Sequence, residues 1–259
     1  GGESKLLRFR PSGKNFTPDD PDENAGYTSL WWCEGYRIAL QQKIGTQQNF
    51  LPQRRLFSLR GIPHLSGYQI DGNSNEWKNV PVFRTRGTKK RNLALASFWG
   101  GVEDFDANFQ LAWCREGLLL FAKVTDDRHD AEETGLHAWR TDSIQLGITG
   151  KYENPDLTDY PVLTLATSGA VLQRDIIGRK AGIIPEVKLA TKRIEPSYQE
   201  PGQTDYECLI PWDLIPGIKA AEAGTTLGFQ IIFNESDGFW RKGWVGRFSP
   251  MGGHIVDSR

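Results

Sequence analysis

The chain has 259 residues, enough for one large domain or for a medium domain with an extension. Its 31 basic and 32 acidic residues leave a formal net charge of −1, and no basic block supplies the phosphate-neutralising surface that nucleic acid requires. No apolar run approaches the roughly 18 residues of a membrane span, and Cys33, Cys114 and Cys208 are too far apart for a metal pair or a disulfide framework.

The chain opens "GGESKLL", with neither a methionine nor a signal peptide, as a processed or trimmed chain does; earlier secretion stays open. Residues 1–66 read as an extension packed on a main domain of residues 67–259. "KNFTPDDPDENAG" is a polar, turn-rich loop, and "YTSLWWCEGYRIALQQKI" fits either two strands or a strand and a short helix. "DGNSNEW" at 71–77 begins like a calcium loop, with Asp71, Asn73 and Asn75 at alternate positions. It lacks the sixth-position glycine and carries Val82 where the final glutamate belongs, so a turn entering a strand is the better account.

From there strand signals recur every ten to twenty residues. "FQLAWC" and "LLLFAKVTDD" flank "REG", a hairpin in which Gly117 is expected to supply a positive backbone angle. "SIQLGIT", "PVLTLAT", "AVLQRDI", "EVKLATKR", "DYECLIP" and "TLGFQIIFNE" follow. In the last, Leu227, Phe229, Ile231 and Phe233 share one face, and Gly228, Gln230, Ile232 and Asn234 the other. Helical signals are confined to single turns in "HDAEETGLHAW" and "PWDLIPGI". The expected fold is all-β, an antiparallel β-sandwich.

Polar residues on otherwise apolar strands are the candidate binding groups. Ser143, Gln145 and Gly147 alternate with Ile144, Leu146 and Ile148, while Gln230 and Asn234 back the apolar row of the last strand. Carboxamides both donate and accept, which suits sugar hydroxyls. Trp139 precedes the first of these strands, and Trp240, Trp244 and Arg247 follow the last, so indole rings are available to stack on a pyranose. The competing reading has the amides facing water and the tryptophans packed under loops. In "TDDRHDAEETG", Asp126, Asp127 and Asp130 offer oxygen ligands to calcium, against the alternative of a solvated loop. Catalysis finds little support: His64, His129, His137 and His254 make no paired-ligand spacing, there is no GxSxG or phosphate loop, and no catalytic residue is assigned.

Taken in order, "IDGNSNEW", "WCREGLLLFAKVTDD", "WRTDSIQLGI", "YECLIPWDLI", "GTTLGFQIIFNESDG" and "GRFSPMGG" resemble the family 9 carbohydrate-binding modules and their DOMON-like relatives over residues 68–259. The resemblance implies a β-sandwich that binds a polysaccharide such as β-glucan or xylan, at chain ends in many members. It also implies a structural Ca2+, here at Asp126 and Asp127, and an extracellular or periplasmic setting beside a covalently linked catalytic domain. Trp139 matches one side of the family's aromatic clamp. Gln145 stands where the family has an acidic residue, and the strand bearing Gln230 and Asn234 lines the site. The second clamp aromatic has no counterpart in "HIVDSR". Two alternatives accompany this reading. One is a haem-binding DOMON-type electron-transfer domain, with Met251 and His254 as the available axial ligands. The other is an accessory or catalytic part of a polysaccharide-processing enzyme.

Overall fold

The computed structural model describes residues 30–38, 41–44, 47–50, 54–85, 93–94, 99–150, 161–176, 178–198, 200–238 and 241–247. Sixteen strands lie among them: β1 (Leu30–Ile38), β2 (Gln41–Ile44), β3 (Gln47–Phe50), β4 (Arg54–Ile62), β5 (Val82–Arg84), β6 (Leu93–Ala94), β7 (Phe105–Trp113), β8 (Gly117–Asp126), β9 (Ser143–Thr149), β10 (Val162–Ala166), β11 (Gly169–Leu172), β12 (Gly182–Ile183), β13 (Lys188–Ile194), β14 (Gln203–Pro211), β15 (Thr226–Ser236) and β16 (Arg241–Arg247). Among the described residues, helix is limited to 3-10 turns at Glu76–Asn79, Gly135–Arg140 and Trp212–Leu214. The all-β expectation is met.

Two sheets carry the architecture. One is nine-stranded and runs β12-β11-β10-β9-β15-β1-β4, with β16 also paired to β15, and β6 to β16. The other is five-stranded, β13-β14-β8-β7-β5. Pairing is antiparallel except where β1 meets β15 in parallel at Trp31–Thr226 and Trp32–Leu227. "YTSLWWCEGYRIALQQKI" therefore contributes two strands, β1 and β2, of which β1 extends the larger sheet alongside β4.

The apolar alternation explains how the sheets stack. Leu227, Phe229, Ile231 and Phe233 of β15, with Ile144, Leu146 and Ile148 of β9, face Phe109, Leu111, Leu118 and Leu120 from the opposite sheet. Phe109 bridges the layers, its ring centroid 6.2 Å from that of Phe229 and 6.1 Å from that of Phe233. Burying each such side chain contributes about 1.5–3 kcal/mol, so this interface is the principal source of stability.

Two local expectations need correction. Gly117 does not adopt a positive φ; it begins β8, and a β-carbon there would collide with the Ile210 carbonyl oxygen of the neighbouring strand. Close approach, not turn geometry, excludes a side chain at this position. The 71–77 segment is a turn, as expected, closed by the Asn73 amide donating to Asp71 Oδ1 at 2.8 Å, but it leads into the Glu76–Asn79 3-10 turn before any strand.

That segment is pinned to the outer face of the five-stranded sheet by a buried carboxylate. Glu207 on β14 accepts from Trp77 Nε1 at 2.8 Å, Gly72 N at 2.9 Å and Asp71 N at 3.0 Å, while Trp77 and Val80 pack with Leu119, Phe121 and Leu209. Removing the acceptor leaves the donors unsatisfied in a dry setting. Glu207→Ala is expected to cost roughly 3 kcal/mol or more in urea unfolding, and Glu207→Gln, which keeps one acceptor oxygen, distinctly less.

Candidate functional site

The face of the nine-stranded sheet turned away from the core carries a row of polar groups. Strand alternation puts Ser143 and Gln145 there from β9, and Gln230 and Asn234 from β15; register sets Asn234 beside Ser143. Asn234 Nδ2 donates to Ser143 Oγ at 3.0 Å and to Gln145 Oε1 at 3.1 Å. Gln145 pairs across β10 with Thr164, whose hydroxyl accepts from Gln173 Nε2 at 2.8 Å. Gln145 and Asn234 are each only 1% exposed, so they are buried and satisfied by one another. Gln230, opposite Gly147, is partly exposed.

Trp139 sits in the 3-10 turn Gly135–Arg140, half-buried and outside both apolar clusters. The Arg140 guanidinium carbon lies 5.5 Å from its ring and that of Arg241 lies 5.2 Å away, both within cation–π reach. Arg241 Nη1 also donates to Asn234 Oδ1 at 3.3 Å. A continuous path therefore runs from the indole through Arg241 to Asn234, Ser143 and Gln145. Arg241 was missed from the sequence; it lies seven residues beyond Asn234, at the start of β16, and only the β15–β16 register brings it back. Trp244 pairs with Asn234 across β15–β16 and is buried on the same face. Arg247 ends β16 with its backbone paired to Ile231. Trp240, Met251 and His254 lie outside the described residues.

The loop carrying Trp139 is tied down by buried acids. Asp142 Oδ2 accepts from the Asp130 amide at 2.6 Å, and its Oδ1 from the Ser236 amide at 2.9 Å. Asp130 Oδ2 accepts from Ser236 Oγ at 2.7 Å. His129 Nδ1 lies 3.4 Å from Asp142 Oδ2 and 3.6 Å from Asp126 Oδ2, with Arg193 Nη1 at 4.0 Å from the latter oxygen. Burial works against a charged His129, yet Asp126 and Asp142 outweigh it and hold the imidazole well above its ordinary value. Burial pushes Asp142 up, His129 pulls it down, and Asp126 adds to the rise.

Asp126 and Asp127 do not converge. Asp126 ends β8 and Asp127 follows it, with side chains in different surroundings: Asp126 is 1% exposed inside the loop knot, whereas Asp127 is exposed. Burial raises Asp127 first, then Asp104 and Asp237, which belong to a second group of acids, and lastly Asp126. At the centre of that group Lys242 Nζ stands 2.7 Å from Asp237 Oδ2 and 3.1 Å from both Asp104 Oδ1 and Glu235 Oε1. One candidate calcium position is thus filled by an ammonium, and the other presents a ring nitrogen and a guanidinium. Among the described residues, the two carboxylates expected to share a calcium, Asp126 and Asp127, do not meet at one position.

No protein-family model matches the chain, and no curated protein matches its sequence. In fold it is similar to a family 9 carbohydrate-binding module from Caldicellulosiruptor kristjanssonii in complex with cellotriose, with a TM-score of 0.52 and 17% identity over 74% of this chain and 85% of that one. A family 9 module from the same organism in complex with glucose gives a TM-score of 0.52 and 16% identity over 74% of this chain and 87% of that one. The two-sheet sandwich is the fold of family 9 carbohydrate-binding modules.

Burial pushes Glu235 up to about 8, against the pull of Lys242. A carboxyl whose folded value exceeds its unfolded one stabilises most when protonated, so its contribution is complete below the ordinary glutamate range and disappears as pH rises through about 8. Urea unfolding of the wild type is therefore expected to lose on the order of 2 kcal/mol more than Glu235→Gln between about pH 5 and 9. Parallel pH profiles for the two proteins would remove this assignment.

Proposed function

We propose that this chain is a non-catalytic carbohydrate-binding module whose contact surface is the Trp139 ring with Arg140 and Arg241. The observation that carries the reading is the linkage of a half-buried indole, through Arg241, to a hydrogen-bonded amide row. The ring offers an apolar face to sugar C–H groups, and the guanidinium donors beside it reach hydroxyls. Gln145 and Asn234, buried behind this surface, orient Arg241. Gln230 lies four residues from Asn234 along β15, as a partly exposed amide on the same sheet face.

The fold shared with modules solved in complex with cellotriose and glucose supports a glucose-containing ligand. On that basis we assign the chain to the targeting of a β-glucan or xylan, at chain ends, within a secreted polysaccharide-degrading system and beside a linked catalytic domain. The carboxylates support a binding role over catalysis: those of the two acidic clusters face Lys242, His129 and Arg193 instead of one another across an open cleft.

Titration calorimetry with cellotriose tests the reading. Trp139→Ala is expected to weaken binding at least tenfold, while the thermal midpoint moves by only a few degrees because the ring lies outside the core. Undiminished binding in the folded variant would remove Trp139 from the site. Release of shorter sugars from soluble oligosaccharides would overturn the non-catalytic assignment.

A further inference from the structure

We propose that Asp126, His129 and Asp142 form a site for one divalent transition-metal ion of the zinc class, held by His129 Nδ1 and one oxygen from each carboxylate. The inference goes beyond carbohydrate binding and rests on different residues.

Geometry comes first. The three ligand atoms lie within 4.8 Å of one another. The nitrogen-to-oxygen separations of 3.4 and 3.6 Å are close to the edges of a tetrahedron whose corners stand about 2.0–2.2 Å from a zinc ion. They are too long for good N–H···O hydrogen bonds, which cluster near 2.9 Å. Imidazole nitrogen and carboxylate oxygen are both zinc ligands, whereas calcium takes oxygen.

The second observation is independent of the spacing. Asp126 is only 1% exposed, and its Oδ2, 3.6 Å from His129 Nδ1, accepts no hydrogen bond. Asp126 Oδ1, by contrast, is engaged by the Arg128 amide at 3.0 Å. An ionised oxygen in a dry site without a donor is costly unless a cation completes it.

Charge balance points the same way. Asp126, Asp130 and Asp142 bring three formal negative charges to this knot, and Arg193 returns one positive charge. A divalent ion bound at Nδ1 would displace the imidazole proton to solvent, and the ion's two positive charges then close the balance. Such an ion would join the end of β8 to the residue just before β9, and so fix the loop that carries Trp139.

The test starts from the full chain dialysed against EDTA and then equilibrated with zinc chloride or calcium chloride, with bound metal counted by mass spectrometry and unfolding followed by scanning fluorimetry. Wild type is expected to hold one zinc per chain and to melt several degrees higher with it, while calcium does neither. His129→Gln is expected to bind zinc at least a hundredfold more weakly. Should that variant fail to fold, Asp126→Asn serves, and cobalt loading of the wild type gives a readout free of substitutions: an intense visible band signals tetrahedral ligation. Folded wild type that takes up no zinc would overturn the proposal, because His129 and Arg193 would then suffice as counter-charges. So would undiminished zinc binding in folded His129→Gln, calcium uptake in preference to zinc, or a weak, octahedral cobalt spectrum.

Discussion

Asp142 links the two halves of the site. Its carboxylate, at the mouth of β9, accepts from the backbone of Ser236 on β15 and of Asp130 in the preceding loop. Asp130 in turn takes the Ser236 hydroxyl. These contacts close residues 130–142 onto the end of β15, so the 3-10 turn in between is held beside the start of β16. Trp139 and Arg241 meet because of that closure. Without it, the indole would lose its link through Arg241 to the amide row.

The cost of such an arrangement is concentrated charge. Each buried carboxylate loses hydration worth several kcal/mol, and the chain offsets the loss differently in its two acidic groups. Around Asp104, Glu235 and Asp237, a lysine ammonium is placed at hydrogen-bonding distance from all three. Around Asp126 and Asp142, backbone amides, Arg193 and His129 share the work, and one oxygen of Asp126 is left over. Polar groups on the outer face of the larger sheet follow the other strategy: Asn234, Ser143, Gln145 and Arg241 satisfy one another and need no counter-ion beyond the guanidinium.

The sheets were legible because period-two alternation is a strong signal over runs as long as Thr226–Ser236, and both faces of that strand fell where the pattern put them. The 3-10 turns at Gly135–Arg140 and Trp212–Leu214 matched the short helical signals. Gly117 was misread because a glycine at a hairpin suggests turn geometry, whereas the constraint came from a strand almost a hundred residues away. The same long range hid the partners of Trp139 and His129. Arg241 is brought to the ring by the β15–β16 register, and Asp142 to the imidazole by the loop knot, neither of which leaves a local trace. Adjacent acids such as Asp126 and Asp127 look like a pair on paper, but the fold places them in different environments.

The account depends most on saccharide contacting the Trp139 ring on the larger sheet. The direct measurement is a cellotriose titration followed by nitrogen–proton correlation spectra of side chains. The account predicts saturable shifts of the Trp139 indole and Arg241 guanidinium signals, with smaller shifts of the Asn234 and Gln145 carboxamides behind them. Shifts confined to Asn108 and Gln110 on the opposite sheet, or no shifts at millimolar sugar, would contradict it.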